Sequence, residues 1–247
     1  SLGTLVEACR GCHDMAVAFA APFVSGKDSL NNVFAYTDAT GTHREISIPP
    51  TLLATAMGQV DDIRRAMTPD LKTPGNRLAI VGLSRDDLAG GQLELICGLT
   101  GGAVPEVDPD TCRAIWSAVA AAIRSRCLTA CHDVSDGGVA ATVAEMAIGG
   151  SCGARLDLAA LPAEVSASGA TRDIALAFTE TPGRFVCEVP AAAAERFEAF
   201  MDGLPWAWAG VVTAEPILEI VGTAGQTFRL SGADLSQAWR RIASTHS

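Results

Sequence analysis

Residues 128–150 read LTACHDVSDGGVAATVAEMAIGG, and the order of residue types in this stretch predicts a strand, a glycine turn and a helix. The strand is predicted at Leu128–Ala130, the turn at Gly137 and Gly138, and the helix over 136–149. The start of a helix carries unpaired N–H groups and the positive end of the helix dipole. Anions bind at such places, so the stretch predicts a phosphate site.

Two polar side chains stand between this strand and its helix. Asp133 carries a carboxylate that phosphate oxygens would repel unless a cation lay between them, which predicts a Mg²⁺ site. Ser135 supplies a hydroxyl donor. An ordinary strand–turn–helix corner, with Ser135 or Asp136 as the helix N-cap, also accounts for these residues. Spacing alone leaves both interpretations open.

A second glycine-bearing segment, Ser25-Gly26-Lys27-Asp28-Ser29, follows a short apolar strand predicted at Phe23-Val24. Its glycine, lysine and serines would suit a phosphate, and a solvated turn is the alternative. The segment is not a P-loop, because the upstream glycine is absent and Asp28 occupies the hydroxyl position.

Cysteine spacing raises two further possibilities, a haem-attachment site and a zinc site, and the surrounding pattern argues against both. The run Cys9-Arg10-Gly11-Cys12-His13 matches a haem-attachment pattern, but both cysteines lie on the apolar stripe of a helix predicted over 2–21. A zinc site would also need Cys127 and Cys131, which an extended strand separates by about 13 Å, too far for one ion. All eight cysteines are therefore expected to be buried free thiols.

Composition excludes several classes of protein. The chain has 247 residues, of which 49% are hydrophobic, so it is long and apolar enough to build a large core. A net charge of -10 argues against a basic groove for nucleic acid. No apolar run reaches the roughly 18 residues of a membrane span, and no cationic segment precedes an apolar one at the start, so the cytoplasm is the expected compartment. The missing initiator Met suggests a fragment of a longer polypeptide.

The organisation of the chain changes at the charged, proline-containing segment 61–76. Before it, over 1–62, extended segments follow the first helix, and 52–58 reads as a buried run. After it, over 63–247, strands and helices alternate, which predicts an α/β or α+β layered domain. Strands are predicted at 77–83, 154–158, 184–189, 206–212, 217–221 and 227–230, and helices at 109–126, 171–178, 191–201 and 233–242.

Six segments now form an ordered set that resembles the phosphoribosylformylglycinamidine synthase family, within a superfamily that includes aminoimidazole ribonucleotide synthetase and selenophosphate synthetase. The set spreads over most of the chain. Its members are Pro22–Asn32, Thr73–Asn76, Ser84–Gly91, Cys131–Val139 with 144–147, and Glu180–Phe185.

The resemblance implies a fold and an activity. It implies that 1–62 is the end of a small barrel-forming domain and that 63–247 is an aminoimidazole ribonucleotide synthetase-like C-terminal domain. It implies an ATP-dependent C–N ligase that converts formylglycinamide ribonucleotide and glutamine-derived ammonia to formylglycinamidine ribonucleotide. Such an enzyme needs the missing N-terminal half and a glutaminase partner, so the chain alone is expected to be inactive. Uncovered apolar surface near 23–60 favours a homodimer.

The resemblance also implies roles for single residues, with Mg²⁺ and ATP or ADP as cofactors. Gly26 and Lys27 would face nucleotide phosphates, Ser29 would lie near substrate or phosphate, Asp133 would bind Mg²⁺, and Ser135 would contact the nucleotide in the turn of Gly137 and Gly138. Some relatives carry asparagine as a metal ligand at the position of Lys27, a role that a protonated lysine lacks. Two alternatives remain: a structural ADP–Mg²⁺ site without catalysis, or a selenophosphate or thiamine-phosphate type of enzyme.

Overall fold

A computed structural model of the chain describes residues 2–27, 29, 32–49, 51–98 and 101–244. Residues 242–244 are described without their side chains. The chain forms two compact units. Unit 1 covers residues 1–61 and unit 2 covers residues 62–247. The division lies beside the predicted boundary, and the kinship of unit 1 with a barrel-forming domain stays a prediction.

Unit 1 contains one helix and one hairpin. Helix α1 spans Leu2–Ala18, and strands β1 (Val33–Thr37) and β2 (His43–Ser47) pair antiparallel. The predicted helix over 2–21 is too long, because Ala20 adopts a left-handed backbone conformation before Pro22 is reached.

Two predictions for unit 1 are wrong. Phe23 and Val24 form no strand. The predicted buried run 52–58 is irregular and exposed, and Met57 retains 94% of its accessible surface. The reason is that no described residue of unit 1 is buried, so its apolar pattern has no core to enter.

Unit 2 holds the remaining elements. Its strands are β3 (Arg77–Val81), β4 (Ser84–Arg85), β5 (Ala130–Asp133), β6 (Gly153–Asp157), β7 (Ala163–Glu164), β8 (Phe185–Val189), β9 (Trp206–Thr213), β10 (Ile217–Val221) and β11 (Thr227–Ser231). Its α-helices are α2 (Gln92–Cys97), α3 (Pro109–Arg124), α4 (Gly138–Gly150), α5 (Gly169–Phe178), α6 (Ala194–Phe200) and α7 (Gly232–Ser244). Short 3₁₀ turns lie at Ile63–Arg65, Leu158–Ala160 and Ala191–Ala193.

Seven strands of unit 2 form one mixed sheet in the order β11-β10-β6-β9-β3-β8-β5. Strands β6 and β10 run parallel, and the other neighbours run antiparallel. Strands β4 and β7 form a separate parallel pair. The predicted α/β layered architecture is therefore confirmed for unit 2.

At the interior strand β3 both faces of the sheet are covered. Leu78 and Ile80 point into a core that contains residues of α4 and α5. Ala79 and Val81 point into a second core that contains residues of α3 and α6. Because successive strand side chains alternate between faces, the unbroken apolar run of β3 fits a strand covered on both sides.

Two predicted elements need correction at the corner where β5 meets α4, and one helix of unit 2 was not predicted. Strand β5 begins at Ala130 and includes His132 and Asp133, because its pairing with β8 continues to Asp133↔Phe185. Helix α4 begins at Gly138, two residues later than predicted. Helix α2 was missed because its apolar pattern covers only six residues.

The cysteines are all free, but burial was predicted wrongly for some of them. Cys112, Cys127 and Cys187 are buried, whereas Cys9 and Cys97 are exposed. Cys9 is exposed because α1 has no buried residue. Among the helices that the structure describes, none combines the length and apolar character needed to cross a bilayer.

Candidate functional site

The corner between β5 and α4 presents a carboxylate to solvent. Asp133 ends β5, and the next residue holds the chain to the sheet through a bond from Val134 N–H to the Arg184 carbonyl oxygen (2.9 Å). The Ser135 hydroxyl donates to Asp133 Oδ2 over 2.6 Å. Asp133 nevertheless keeps 62% of its side-chain surface exposed, so the structure brings two predicted site residues together with room for a ligand.

The charge of Asp133 is stabilised locally. The Ser135 hydroxyl, followed by the Asp133 backbone and His132, lowers the pKa of the carboxyl group below its ordinary value of 3.8, although partial burial acts in the opposite direction. His132 Nδ1 lies 3.3 Å from Asp133 Oδ1, and His132 Nε2 lies 3.5 Å from Glu145 Oε2. The carboxylate is therefore ionised at neutral pH, which is the form that a hard cation requires.

Both turn glycines have left-handed backbones and internal hydrogen bonds. Gly137 has φ +77° and Gly138 has φ +68°. Gly138 N–H donates to the Ser135 carbonyl oxygen (3.0 Å), and Gly137 N–H donates to Glu180 Oε1 (2.8 Å). Gly137 is the N-cap of α4, and no side chain caps this helix, so neither Ser135 nor Asp136 has that role. A phosphate at these two amides would have to compete with the internal acceptors, and their phosphate-binding role stays a prediction.

Glu180 is a site residue for which sequence reasoning assigned no role. Its Oε1 accepts from Gly137 N–H and also from Gln92 N–H, the first residue of α2, over 2.8 Å. Gly91 leaves room for it, since a Cβ there would lie 3.1 Å from the Glu180 carboxylate. One carboxylate therefore joins the starts of two helices and complements both dipoles. The only signal in the sequence was its place in the Glu180–Phe185 segment.

The residues on either side of Glu180 are anchored by a buried aspartate. Asp87 Oδ1 accepts from the Thr179 hydroxyl (2.7 Å) and from the Thr181 hydroxyl (2.6 Å). All three residues are at least nine-tenths buried. Among the described residues, no donor reaches Asp87 Oδ2. Two threonines held by one carboxylate fix the backbone on both sides of Glu180.

A buried arginine holds the same backbone from the other side. Arg184 is only 1% exposed, and it donates to the carbonyl oxygens of Thr181 (2.9 Å) and Thr179 (2.5 Å) and to Ser84 Oγ (2.8 Å). Burial lowers the pKa of Arg184 to about 10, while Asp87 and Glu180 raise it. The guanidinium therefore remains charged at neutral pH and offsets these two carboxylates.

Replacing Glu180 with alanine is expected to loosen both helix starts, because Gly137 and Gln92 lose their shared acceptor. We expect the free energy of unfolding to fall by about 1–3 kcal/mol, with faster hydrogen exchange at these two amides. Glu164→Ala is the matched control, since Glu164 forms an exposed ion pair with Arg85 (3.4 Å) and should cost at most about 1 kcal/mol. Unchanged exchange at Gly137 in the Glu180 variant would contradict the assignment.

The other predicted phosphate ligands lie in unit 1. Gly26, Lys27 and Ser29 are exposed residues of irregular chain. The neighbouring Asp28 and residues 30–31 of the same motif lie outside the described residues. The phosphate-binding role of this segment stays a prediction. Within the part of the chain that the structure describes, no three His, Cys, Asp or Glu side chains cluster as ligands of one metal ion.

Comparison with known families adds to this geometry. Residues 71–223 match the family described as "AIR synthase related protein, C-terminal domain". The chain belongs to this family. The match covers β3 to β10 and therefore includes Asp133, Ser135 and Glu180. The predicted membership of the aminoimidazole ribonucleotide synthetase-like superfamily is confirmed.

Individual proteins similar to this chain are consistent with its membership of the family. Phosphoribosylformylglycinamidine synthase subunit PurL of Thermococcus sibiricus is 31% identical over 199 residues, which cover 81% of this chain and 26% of that protein. The subunit of the same name from Rhodopseudomonas palustris is 34% identical over 239 residues, covering 94% of this chain and 28% of the relative. This chain thus spans about a quarter of the length of the relatives that it matches.

Solved structures show the same fold. The Thermotoga maritima PurL structure described as complexed with FGAR matches with a TM-score of 0.62 and 17% identity, covering 70% of this chain and 30% of that one. The structure of that protein complexed with ATP gives a TM-score of 0.59 with 15% identity and covers 70% and 28% of the two chains. At this identity the likeness supports the fold, which is the one that the sequence predicted.

Proposed function

We propose that the chain is the C-terminal portion of a phosphoribosylformylglycinamidine synthase that acts in the cytoplasm in purine biosynthesis. The observation that carries the proposal is an identity of 31–34% over most of the chain with relatives of that name. The reaction would be the ATP-dependent conversion of formylglycinamide ribonucleotide and ammonia to formylglycinamidine ribonucleotide. In this reaction the amide oxygen is phosphorylated, and ammonia then displaces phosphate at the same carbon.

We further propose that the corner of Asp133 and Ser135 contributes to a Mg²⁺–nucleotide site. The residues present fit such a group, because Asp133 is ionised, exposed and close to a hydroxyl donor. Magnesium in nucleotide sites is commonly held by one or two carboxylates together with phosphates and water, so a single carboxylate suffices here. When bound, the ion would neutralise phosphate charge. Ser135 orients the carboxylate. The phosphate-binding role of Gly26, Lys27 and Ser29 is a separate proposal for unit 1.

A structural ADP–Mg²⁺ site is a second candidate for the same corner. The observation that favours it is that Gly137 and Gly138 N–H already have internal acceptors. A corner braced in this way has fewer free donors for the phosphoryl group that is transferred, and a nucleotide with a purely structural role does not need donors at that group. The PurL of Thermotoga maritima has been solved with ADP as well as with ATP.

Replacing Asp133 with asparagine in the complete synthetase is expected to separate these roles. It removes the charge while keeping the shape, so Mg²⁺–ADP should stabilise the variant much less than the wild type in thermal unfolding. If the site is catalytic, turnover falls at least about tenfold, which corresponds to about 1.4 kcal/mol of lost transition-state stabilisation. If it is structural, folded protein keeps near-normal turnover while its melting temperature falls.

The control for this experiment is Asp202→Asn, which removes an exposed carboxylate of unit 2 far along the chain from the corner. This variant should respond to Mg²⁺–ADP as the wild type does. An Asp133 variant that retains both the full nucleotide-dependent stabilisation and full turnover would exclude Asp133 from the site.

The chain alone is expected to make no formylglycinamidine ribonucleotide when supplied with substrate, ATP, Mg²⁺ and ammonium salt. The reason is that the proposed active enzyme also needs an N-terminal half, which would supply the rest of the site. Product above the rate without protein would overturn this proposal, whereas activity restored by adding the separately expressed half would support it.

Partners follow from the same proposal. The relatives are named as subunits, and one matched structure is titled "Structure of PurLQS from Thermotoga maritima". We propose that a glutaminase subunit supplies ammonia to the assembled enzyme. We also expect the isolated chain to form a homodimer through the exposed apolar residues of unit 1, among them Leu53 and Met57. Light scattering measures its oligomeric state.

A further inference from the structure

Two cysteines face each other across neighbouring strands behind the corner described above. Cys131 on β5 is the direct partner of Cys187 on β8, and their sulfur atoms are 3.8 Å apart. Cys187 is completely buried in the core that contains α3 and α6, and Cys131 packs against this core while keeping partial exposure. The two thiols therefore combine closeness with access from one side.

The type of strand pair suits a covalent bond between them. In an antiparallel pair of strands, hydrogen-bonded and non-hydrogen-bonded residue pairs alternate. Val134, opposite Arg184 in the register, donates its N–H to the Arg184 carbonyl oxygen and therefore belongs to a hydrogen-bonded pair. Cys131 lies three residues before Val134 and therefore belongs to a non-hydrogen-bonded pair. Its N–H points away from β8 and donates to the Thr68 carbonyl oxygen (3.4 Å). In such non-hydrogen-bonded pairs the Cα atoms are about 4.5 Å apart, at the short end of the range that disulfides span.

We propose that Cys131 and Cys187 form a redox modification site, which closes to an intramolecular disulfide when it meets a low-molecular-weight disulfide and reopens with a thiol reductant. The spacing requires the sulfur atoms to approach from 3.8 Å to about 2.0 Å. Rotation of the two side chains with a small shift of the edge strand β5 can provide this approach. A cross-strand bond formed in this way is of the labile, reversible kind.

Each step of the exchange balances. The thiolate of Cys131 attacks one sulfur of the small disulfide, whose S–S bond breaks and releases one small thiolate. The Cys187 thiol gives its proton to this leaving thiolate, and the resulting Cys187 thiolate attacks Cys131 Sγ and expels the second small thiolate. That thiolate takes up from solvent the proton that Cys131 released when it ionised. Two protein thiols are oxidised, and one small disulfide is reduced to two thiols.

The order of attack follows from the surroundings of the two sulfurs. The hydrogen bond with Cys131 and then burial raise the pKa of the Cys187 thiol well above its ordinary value of 9.0, which keeps it protonated. Cys131 is the partner that solvent reaches, so the small disulfide meets the sulfur of Cys131 first. Cys127, a buried free cysteine of the same core, accepts a hydrogen bond at its sulfur from Arg196 Nε (2.8 Å).

The site lies close to the proposed nucleotide corner but does not depend on it. Asp133 is two residues beyond Cys131 and therefore on the same side of β5. A bond that draws the end of β5 towards β8 would move the segment that carries Asp133. Formation of the bond can be tested in the chain by itself, so its failure would leave the proposed function untouched.

The test is mass spectrometry of the native chain equilibrated with oxidised glutathione, alkylated with iodoacetamide and digested with trypsin. We expect peptide 127–155 linked to peptide 185–196, lighter than the two reduced peptides together by two hydrogen atoms. Fragmentation should place the bond at Cys131 rather than at Cys127 or Cys152, which share its peptide. Dithiothreitol added before alkylation should abolish the linked species.

Variants make the test decisive. Cys131→Ser should lose the linked peptide completely, whereas Cys152→Ser should keep it at the wild-type level. Because Cys187 is buried, a circular dichroism spectrum checks whether the Cys187→Ala variant folds. If Cys187→Ala does not fold, the result for Cys131→Ser decides the test. Persistence of the link in Cys131→Ser, formation of the link only after denaturation, or Cys131 that stops at the glutathione adduct would each overturn the proposal.

Discussion

Replacing Gly138 with alanine is expected to lower the free energy of unfolding of unit 2 by about 2–6 kcal/mol. Gly138 has φ +68°, a conformation in which a residue with a Cβ is strained by about 1–3 kcal/mol. In addition, the new Cβ would lie 2.6 Å from the Thr179 carbonyl oxygen and 2.7 Å from that of Ala177. These are backbone atoms that cannot rotate away, so overpacking adds about 1–3 kcal/mol.

Urea unfolding followed by tryptophan fluorescence measures this loss, since all four tryptophans of the chain lie in unit 2. Gly203→Ala is the matched control. Gly203 has a similar φ of +72°, but a Cβ there would meet nothing within 4 Å, so only the strain of about 1–3 kcal/mol remains. Equal losses in the two variants would show that the contact with the end of α5 is unimportant.

Replacing Arg184 with methionine is expected to cost about 3–5 kcal/mol, because one partner of a buried charged network disappears. Methionine fills similar space but cannot donate to the carbonyl oxygens of Thr179 and Thr181. It would also leave Asp87 and Glu180 without the guanidinium that offsets their charge. Since these two carbonyls flank Glu180, the loss should extend to the amide of Gly137, whose hydrogen exchange should accelerate.

The control for Arg184→Met is Arg155→Met, which removes a guanidinium from a partly exposed pair with Glu219 (2.9 Å). Solvent weakens such a pair, so the expected loss is at most about 1 kcal/mol. Urea unfolding compares the two variants directly. A loss at Arg184 no larger than at Arg155 would mean that the cluster tolerates an apolar replacement, as some buried ion pairs do.

Much of unit 2 could be predicted because its elements carry local signals. Strand β10 was predicted with its observed bounds, since Ile217–Val221 is a short apolar run between turn residues. Helix α3 begins where Pro109 follows Asp108, whose carboxylate accepts from the N–H groups of Asp110 and Thr111. In unit 1 the same type of reasoning failed for 52–58, because an apolar run is buried only where other segments cover it.

The candidate site was predictable in part. Asp133 and Ser135 were predicted from their place after a strand, and two residues that lie so close in sequence meet wherever the chain turns. Glu180 could not be assigned in this way, because its partners are 43 and 88 residues away along the chain. Arg184 was expected only as the start of a strand, since buried arginine is rare unless its partners are known.

The sequence by itself determined the alternation of strands and helices in unit 2 and the glycine turn before α4. Near-neighbour sterics and hydrophobic periodicity act over a few residues, and both are legible in a linear chain. Only the tertiary structure decided which groups at that turn are available to a ligand. It placed Glu180 on the Gly137 amide, Arg184 behind it, and Cys187 opposite Cys131, because contacts between distant segments depend on how the strands are ordered in the sheet.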